Sequence, residues 1–341
     1  MSYKKSILAI LGPTASGKSD LAVKIALRLN SGQVKRLYGL NGAEIISADS
    51  RQIYKGLDIG SGKVEGKWRM ANGKGQKANN KLVFLYKNIP HHLLNVANPK
   101  RTFTVTKYQK LARVAIQKIW QRNKLPIICG GTGFYIDALI NDSKLPDVKP
   151  DRKLRKELEK KTTAELFFQL KKLDPRRAKN IDAHNRRRLV RALEIILKTG
   201  KPVPLIPHIR SPRWSIGEAG ANKGYNPDIL KIGIMPPTDE LRHRIKKRLL
   251  KRLRGGMITE VKKLHASGLS WQKLDNFGLE YRYISRYLRG NITKEEMIKT
   301  LENEIWHYAK RQMTWFKRDE RICWIKNQKE AMKLAGNFLK N

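Results

Sequence analysis

The segment Gly12 to Ser19 reads GPTASGKS and directly follows the apolar run Ile7 to Leu11. A strand that feeds a glycine-bearing loop and then a helix aims free backbone N–H groups, and the positive end of the helix dipole, at one point. The loop matches GxxxxGK[ST] in full: Gly12 and Gly17 permit the tight turn, with Pro13, Thr14, Ala15 and Ser16 between them. Lys18 adds a full positive charge, and the Ser19 hydroxyl is where a phosphate-bound Mg2+ would take a ligand. An ordinary glycine turn is the plain alternative, and the amphipathic stretch Leu21 to Leu29 argues against it. The loop predicts a diphosphate or triphosphate ligand and leaves the reaction open.

Around that loop the pattern is α/β, with a parallel sheet flanked by helices in a P-loop NTPase-like core. Strands are expected at Ser6–Leu11, Glu44–Ser47, Lys81–Tyr86, Leu125–Cys129, Ile229–Met235 and Ile322–Ile325. Helices are expected at Lys18–Asn30, Thr104–Asn123 and Thr238–Arg254, and a long one opens on a Thr293/Glu296 capping box. Asp151–Lys161, Thr163–Leu173 and Asn185–Lys198 read as helices with no strand among them. The division that follows is 1–143 for the first part of the core, 144–225 for a helical insertion and linker, and 226–341 for the remainder. Residues 31–42 and 63–81, rich in Gly and basic side chains, are expected as surface loops. Cys129 and Cys323 lie in apolar strand-like segments, which predicts two core thiols and neither a disulfide framework nor a zinc site. No run approaches the ~18 apolar residues of a membrane span, and Met1 to Lys5 leads straight into the first strand, so a cytoplasmic protein is expected.

Lys and Arg number 72 against 29 Asp and Glu, a net charge of +43 that should repel itself unless a polyanion offsets it. Nucleic acid is the obvious partner; adaptation of a whole proteome to its solvent is the other reading. Asp49 falls just past the second strand, in IISADSRQIYKGLDIGSGK, where a carboxylate could ligate Mg2+, accept a proton from a nucleophile, or cap a turn. Gly130, Gly131, Thr132 and Gly133 form a second loop at a strand's carboxyl end, the edge where open α/β sheets gather ligands.

Six ordered blocks, GPTASGKS, ISADSRQIYKGLDIGSGK, PHHLLN, ICGGTGFYI, NRRRLVRALE and AKRQMTWFKR, together resemble the tRNA dimethylallyltransferases, also called tRNA isopentenyltransferases. The resemblance runs from Ile7 to Trp324 and implies transfer of a dimethylallyl group from dimethylallyl diphosphate to N6 of the adenosine 3′ of the anticodon. It implies that Gly12 to Ser19 hold the departing diphosphate, with Mg2+ at Ser19. Thr14 would hydrogen-bond the bridging oxygen, and Arg244 of RHRI would clamp the diphosphate. Asp49 would be the base and Thr132 would help position the amine. It further implies contacts to the tRNA anticodon stem-loop from Asp49, Ser50, Arg51, Gln52, Thr132, Arg155 and the block Arg187, Arg188, Leu189, Val190 and Arg191. On a helix, Arg187, Arg188 and Arg191 share a face opposite Leu189, Leu193 and Ile196, although a solvated basic face is the alternative there and for Arg155. The expected state is a monomer.

The sequence departs from the family at GLEYRY, where Glu280 stands in place of a glycine, which puts contacts from Phe277 to Arg282 in question. It also lacks the cysteines of the C-terminal zinc finger found in eukaryotic members, as suits a bacterial-type enzyme.

A phosphate-loop kinase would carry the same loop, and so would a nucleic-acid binding module that only grips phosphate. A ligand bound only by the folded state raises stability by RT ln(1 + [L]/Kd). Dimethylallyl diphosphate is therefore expected to raise the melting temperature more than ATP at equal concentration, and a larger shift with ATP would favour the kinase.

Overall fold

The computed structural model describes residues 5–31, 38–70, 82–141, 146, 148–204 and 227–340. Two compact units emerge, Met1–Ile140 with Ser211–Asn341, and Asn141–Arg210. The first is built on an eight-stranded sheet ordered β3-β4-β5-β2-β6-β1-β7-β8. Its strands are β1 (Ser6–Leu11), β2 (Ala43–Ser47), β3 (Lys67–Met70), β4 (Leu82–Tyr86), β5 (Ile89–His92), β6 (Leu125–Gly130), β7 (Asp228–Ile234) and β8 (Ile322–Ile325). The six strands from β5 to β8 in that order run parallel, and β4 and β3 add an antiparallel edge.

Strand β1 is buried along its whole length because both sheet faces are covered. Ile7, Ala9 and Leu11 face one core, which holds α2 (Val105–Gln121), α3 (Gly133–Ile140) and the helices between β7 and β8. Leu8 and Ile10 face the other, with α1 (Lys18–Leu29). The period of two along a strand divides these apolar side chains between the faces. Leu111 on α2 lies outside this core, 39% exposed.

Three corrections to the sequence reading have physical causes. Strand β3, inside the stretch expected to be a loop, has only four residues, so the alternation of Lys67, Trp68, Arg69 and Met70 is too short to stand out among its Gly and basic neighbours; Trp68 meets Phe84 across the pair. Strand β5 holds Pro90, which reads as a breaker. Cys323 is exposed and only Cys129 is buried, because β8 is an edge strand whose Ile322 and Ile325 face inward. Strands β1 and β2 are not adjacent: β6 lies between them, with Leu8 opposite Ile127 and Ile45 opposite the same residue. Residues 32–37 and 71–81 of the expected loops, and 144, 145, 147 and 205–225 of the expected insertion and linker, lie outside the described residues.

The C-terminal helices are α8 (Thr238–Arg254), α9 (Met257–Ala266), α10 (Trp271–Phe277), α11 (Leu279–Leu288), α12 (Lys294–Phe316) and α13 (Gln328–Lys340). The Thr293/Glu296 capping box forms with both reciprocal bonds. In the second unit, α4 (Arg152–Leu158), α5 (Thr163–Leu173), α6 (Pro175–Lys179) and α7 (Arg186–Thr199) pack around Leu158, Leu166, Leu170, Leu189 and Leu193. Helix α6, opened by Asp174 and Pro175, is too short for a periodic signal.

The β6 terminus admits no side chain: a Cβ at Gly130 would stand 2.2 Å from the Ala48 carbonyl oxygen and 2.5 Å from its carbon. Because those are backbone atoms, Gly130→Ala must displace the segment after β2. A loss of about 1–3 kcal/mol is expected in chemical denaturation, and an unchanged midpoint would contradict this packing.

Candidate active site

Strands β2, β6 and β1 lie side by side and end at the same edge, so three loops meet there. The loop after β1 turns through Ala15, at φ 63°, and Gly17, at φ 89°, before α1 begins. Both are left-handed, and only the glycine adopts that conformation without a steric penalty. Lys18 Nζ donates to the Pro13 carbonyl at 3.0 Å, and Ser16 Oγ is buried with no hydrogen-bond partner among the described residues. Lys18 keeps some solvent exposure, yet burial is the largest influence on its ammonium and lowers it to about 8. Cys129 acts in the opposite sense, and Arg248 adds to the lowering.

Helix α8 brings arginines to that loop from the other side. Arg244 Nη1 donates to the Ser16 carbonyl at 3.3 Å, while its Nη2 pairs with Glu240. One turn on, Arg248 Nη2 donates to the Thr14 hydroxyl. The Thr14 N–H in turn donates to Gln312 Oε1 at 2.8 Å, and Gln312 Nε2 donates to the Gly131 carbonyl at 2.7 Å. Burial, then Arg252, pushes Arg248 down to about 9, which still leaves it cationic at neutral pH. The donor set of Lys18, Arg244, Arg248, Ser16 Oγ and loop N–H groups suits a diphosphate.

After β2 the chain turns sharply at Asp49. Its Oδ1 accepts from the N–H of Arg51 at 2.8 Å and of Gln52 at 3.3 Å, so the turn-capping expectation is met. No donor among the described residues is hydrogen-bonded to Oδ2. Thr132, after β6, turns its hydroxyl away from its own helix to accept from the Ser50 N–H at 3.0 Å, and it is also hydrogen-bonded to Tyr308. Burial, then the negative charge of Asp49, raises the Tyr308 hydroxyl, which therefore stays protonated. Arg51 lies over the Phe277 ring at 5.9 Å, and Gln52 Nε2 donates to the Ser61 and Gly62 carbonyls.

Ser19 opens onto a cavity of about 20 Å³ that it shares with Ser47, Gln52, His91 and Cys129. A hydrogen bond ties Ser19 to the Cys129 thiol, which burial raises to about 11. Among the described residues no three His, Cys, Asp or Glu side chains converge as a metal site. Mg2+ habitually keeps waters and substrate phosphates as its ligands, so a single hydroxyl beside hydroxyl and amide oxygens fits that ion.

The 58–62 segment is held from below by carboxylates. Glu260 accepts from the N–H groups of Asp58, Ile59 and Gly60 and from the Tyr281 hydroxyl at 2.8 Å. Glu280, which departs from the family, is buried and pairs with Arg252 at 3.1 Å, and Arg252 also donates to the Gly60 carbonyl. Phe277 and Tyr281 are core residues, and Arg282 Nε donates to the Asp275 carbonyl, so this stretch turns mostly inward.

In the second unit the basic residues divide. Arg187 and Arg188 are exposed on α7. Arg191 is not free beside them, because it donates to Glu194 and to the Val148 carbonyl; Arg155 is bound to the same carboxylate. Leu189 and Val190 bury their side chains in the unit's core, 0% and 5% exposed, so they cannot present them to a ligand.

Sequence reasoning missed Arg248, Arg252, Gln312 and Tyr308. The first two had a signal, since Arg244, Arg248 and Arg252 recur every four residues in a row beside Leu241, Ile245 and Leu249. Gln312 lies inside AKRQMTWFKR, but nothing local links it to a loop 298 residues away.

A family model described as IPP transferase matches residues 52–319. The chain is 37% identical to tRNA dimethylallyltransferase 2 of Pelobacter propionicus over 326 residues, covering 94% of this chain and 89% of that one. It is 37% identical to tRNA dimethylallyltransferase 1 of Syntrophus aciditrophicus over 341 residues, covering 98% and 99%. Its fold is similar to the crystal structure of the tRNA isopentenylpyrophosphate transferase from Bacillus halodurans, with a TM-score of 0.63, 32% identity, and coverage of 99% and 97%. At 24% identity, a eukaryotic dimethylallyltransferase acting on tRNA shares the fold, with a TM-score of 0.68 over 99% of this chain and 80% of that one.

The lowered Lys18 has a measurable sign. Between about 8 and its ordinary value of 10.5, the ammonium is protonated in the unfolded chain and neutral in the folded one. In that window this group's contribution to stability therefore rises with pH. An anion on the loop restores the proton, so binding of inorganic diphosphate is expected to take up a proton near pH 9 and to weaken as pH rises through about 8. Calorimetry in buffers of different ionisation enthalpy should show that uptake reduced in Lys18→Met; equal uptake in both proteins would place Lys18 away from the anion.

Proposed function

Because this chain belongs to the IPP transferase family, we infer that it transfers the dimethylallyl group of dimethylallyl diphosphate to N6 of the tRNA adenosine 3′ of the anticodon. The substrates are tRNAs that read codons beginning with U. The products are N6-dimethylallyladenosine and diphosphate. The reading extends to a P-loop NTPase-like core, to a cytoplasmic monomer, and to Mg2+ as cofactor. No helix among the described residues is long and apolar enough to cross a membrane.

The supporting observation is the placement of two chemically different groups at one sheet edge, on strands separated only by β6: a cationic cradle after β1, and a carboxylate after β2 whose second oxygen has no hydrogen-bond donor among the described residues. The allylic C–O bond breaks as the N–C bond forms, and its electron pair leaves with the diphosphate. Lys18, Arg244, Arg248 and the loop N–H groups meet that developing charge, and each such donor contributes about 10²–10³ in rate. Thr14, fixed by Arg248 and Gln312, faces the same leaving group. Mg2+ bound through Ser19 would add positive charge there.

The adenine N6 amine is a poor nucleophile because its lone pair is delocalised into the ring. Its proton passes to Asp49 Oδ2 as the new bond forms, while Oδ1 stays committed to the turn. Thr132, with Tyr308, holds that turn and orients the amine. The adenosine must leave the anticodon stack to reach a carboxylate so placed, at a cost of a few kcal/mol. Ser50, Arg51, Gln52 and the exposed Arg187 and Arg188 are the proposed RNA contacts, with Arg155 and Arg191 alongside them.

Asp49→Asn tests the assignment cleanly, since an amide oxygen can keep both turn hydrogen bonds and cannot take the proton. Single-turnover transfer is expected to fall about 10²–10⁴-fold, with binding of both substrates nearly intact. Recovery of near-normal rate at high Mg2+ would make Asp49 a metal ligand and leave the base elsewhere.

A further inference from the structure

Within the helical unit, one carboxylate organises two arginines. Glu194 on α7 has no exposed side-chain surface. Its Oε1 accepts from Arg155 Nε at 2.7 Å and from the Asp151 N–H at 2.7 Å. Its Oε2 accepts from Arg155 Nη2 at 2.7 Å and from Arg191 Nη1. Arg191 Nη2 is fixed to the Val148 carbonyl at 2.9 Å. Those bonds place every acceptor on the inner side, yet Arg155 and Arg191 remain 35% and 36% exposed. A guanidinium has five N–H donors, so each keeps donors for an outer partner.

The charge balance gives that partner its sign. Residues 148–204 carry 18 Lys and Arg against seven Asp and Glu, and the single buried Glu194 offsets only one of its two arginines. Burial raises the Glu194 carboxyl while its hydrogen bonds to Arg155, Asp151 and Arg191 lower it, the net result being about 2, so it is ionised throughout the physiological range. A lone pair buried for stability alone would gain little, since desolvation offsets most of the attraction. Two long side chains fixed in advance do gain something at binding, because the rotamer entropy that each would otherwise lose is already spent.

We propose that Glu194 is a positioning residue that presets Arg155 and Arg191 as a fixed pair of donors for consecutive phosphates of the tRNA backbone. This rests on the reading of the protein as a tRNA-modifying enzyme. Glu194 touches no substrate and acts only through the two arginines.

The experiment measures binding of an anticodon stem-loop RNA to the full chain across a salt series, alongside prenyl transfer by the wild type, which tests the underlying reading separately. Glu194→Gln keeps the shape, but its amide NH2 faces the donors of Arg155 or Arg191 and frees them. About tenfold weaker binding is expected, with the KM for RNA raised and that for dimethylallyl diphosphate unmoved. In an Arg155→Gln/Arg191→Gln background, where each amide can still donate to Glu194, the salt slope should fall by about two, one per phosphate contact. Adding Glu194→Gln to that background should then change affinity less than about twofold, the non-additivity expected of groups that act as one unit. An equal loss with and without the arginines would mean that Glu194 acts through the fold, and overturns the proposal. If Glu194→Gln does not fold, an unchanged salt slope in the double arginine variant overturns it alone.

Discussion

Lys18, Arg244, Arg248 and Arg252 crowd one loop, with Glu240 and Glu280 as the carboxylates hydrogen-bonded among them. Repulsion within such a group must be offset by something, and the fold uses short-range dipoles: Pro13 and Ser16 carbonyls, the Thr14 hydroxyl and the Gly60 carbonyl each accept from one cation. These are neutral acceptors, which hold a cation in place without cancelling its charge. The loop therefore keeps its positive charge while its own geometry stays fixed, the preorganisation that the proposed departure of diphosphate calls for.

The route from sequence to site was uneven, and the reasons differ by residue. Gly12 to Ser19 and Asp49 were legible because they sit at strand ends whose apolar runs are short and continuous. Arg248 and Gln312 were not, since their roles depend on α8 and α12 packing back onto the loop after more than 200 residues. Strand order is equally non-local. Nothing in Leu125 to Gly130 announces that β6 slots between β1 and β2, yet that placement sets Thr132 beside Asp49. The family blocks located Thr132 without this knowledge, while the hydrogen bond from Ser50 explains what its hydroxyl does.

Net charge was a poor guide to individual arginines. Of the basic residues singled out on α4 and α7, Arg187 and Arg188 are exposed, whereas Arg155 and Arg191 converge on a buried acid. Helical periodicity placed Arg187, Arg188 and Arg191 on one face correctly. It sets Glu194, seven residues after Arg187 and three after Arg191, on that same side, but could not reveal that its carboxylate is buried there as an anchor.

Glu260 carries a consequence for selectivity. The N–H groups of Asp58, Ile59 and Gly60 point together as a phosphate-binding nest would. A carboxylate of the chain's own accepts from all three, so these donors are closed to any outside anion, whereas Lys18 and Arg248 rest on neutral acceptors that leave their charge uncancelled.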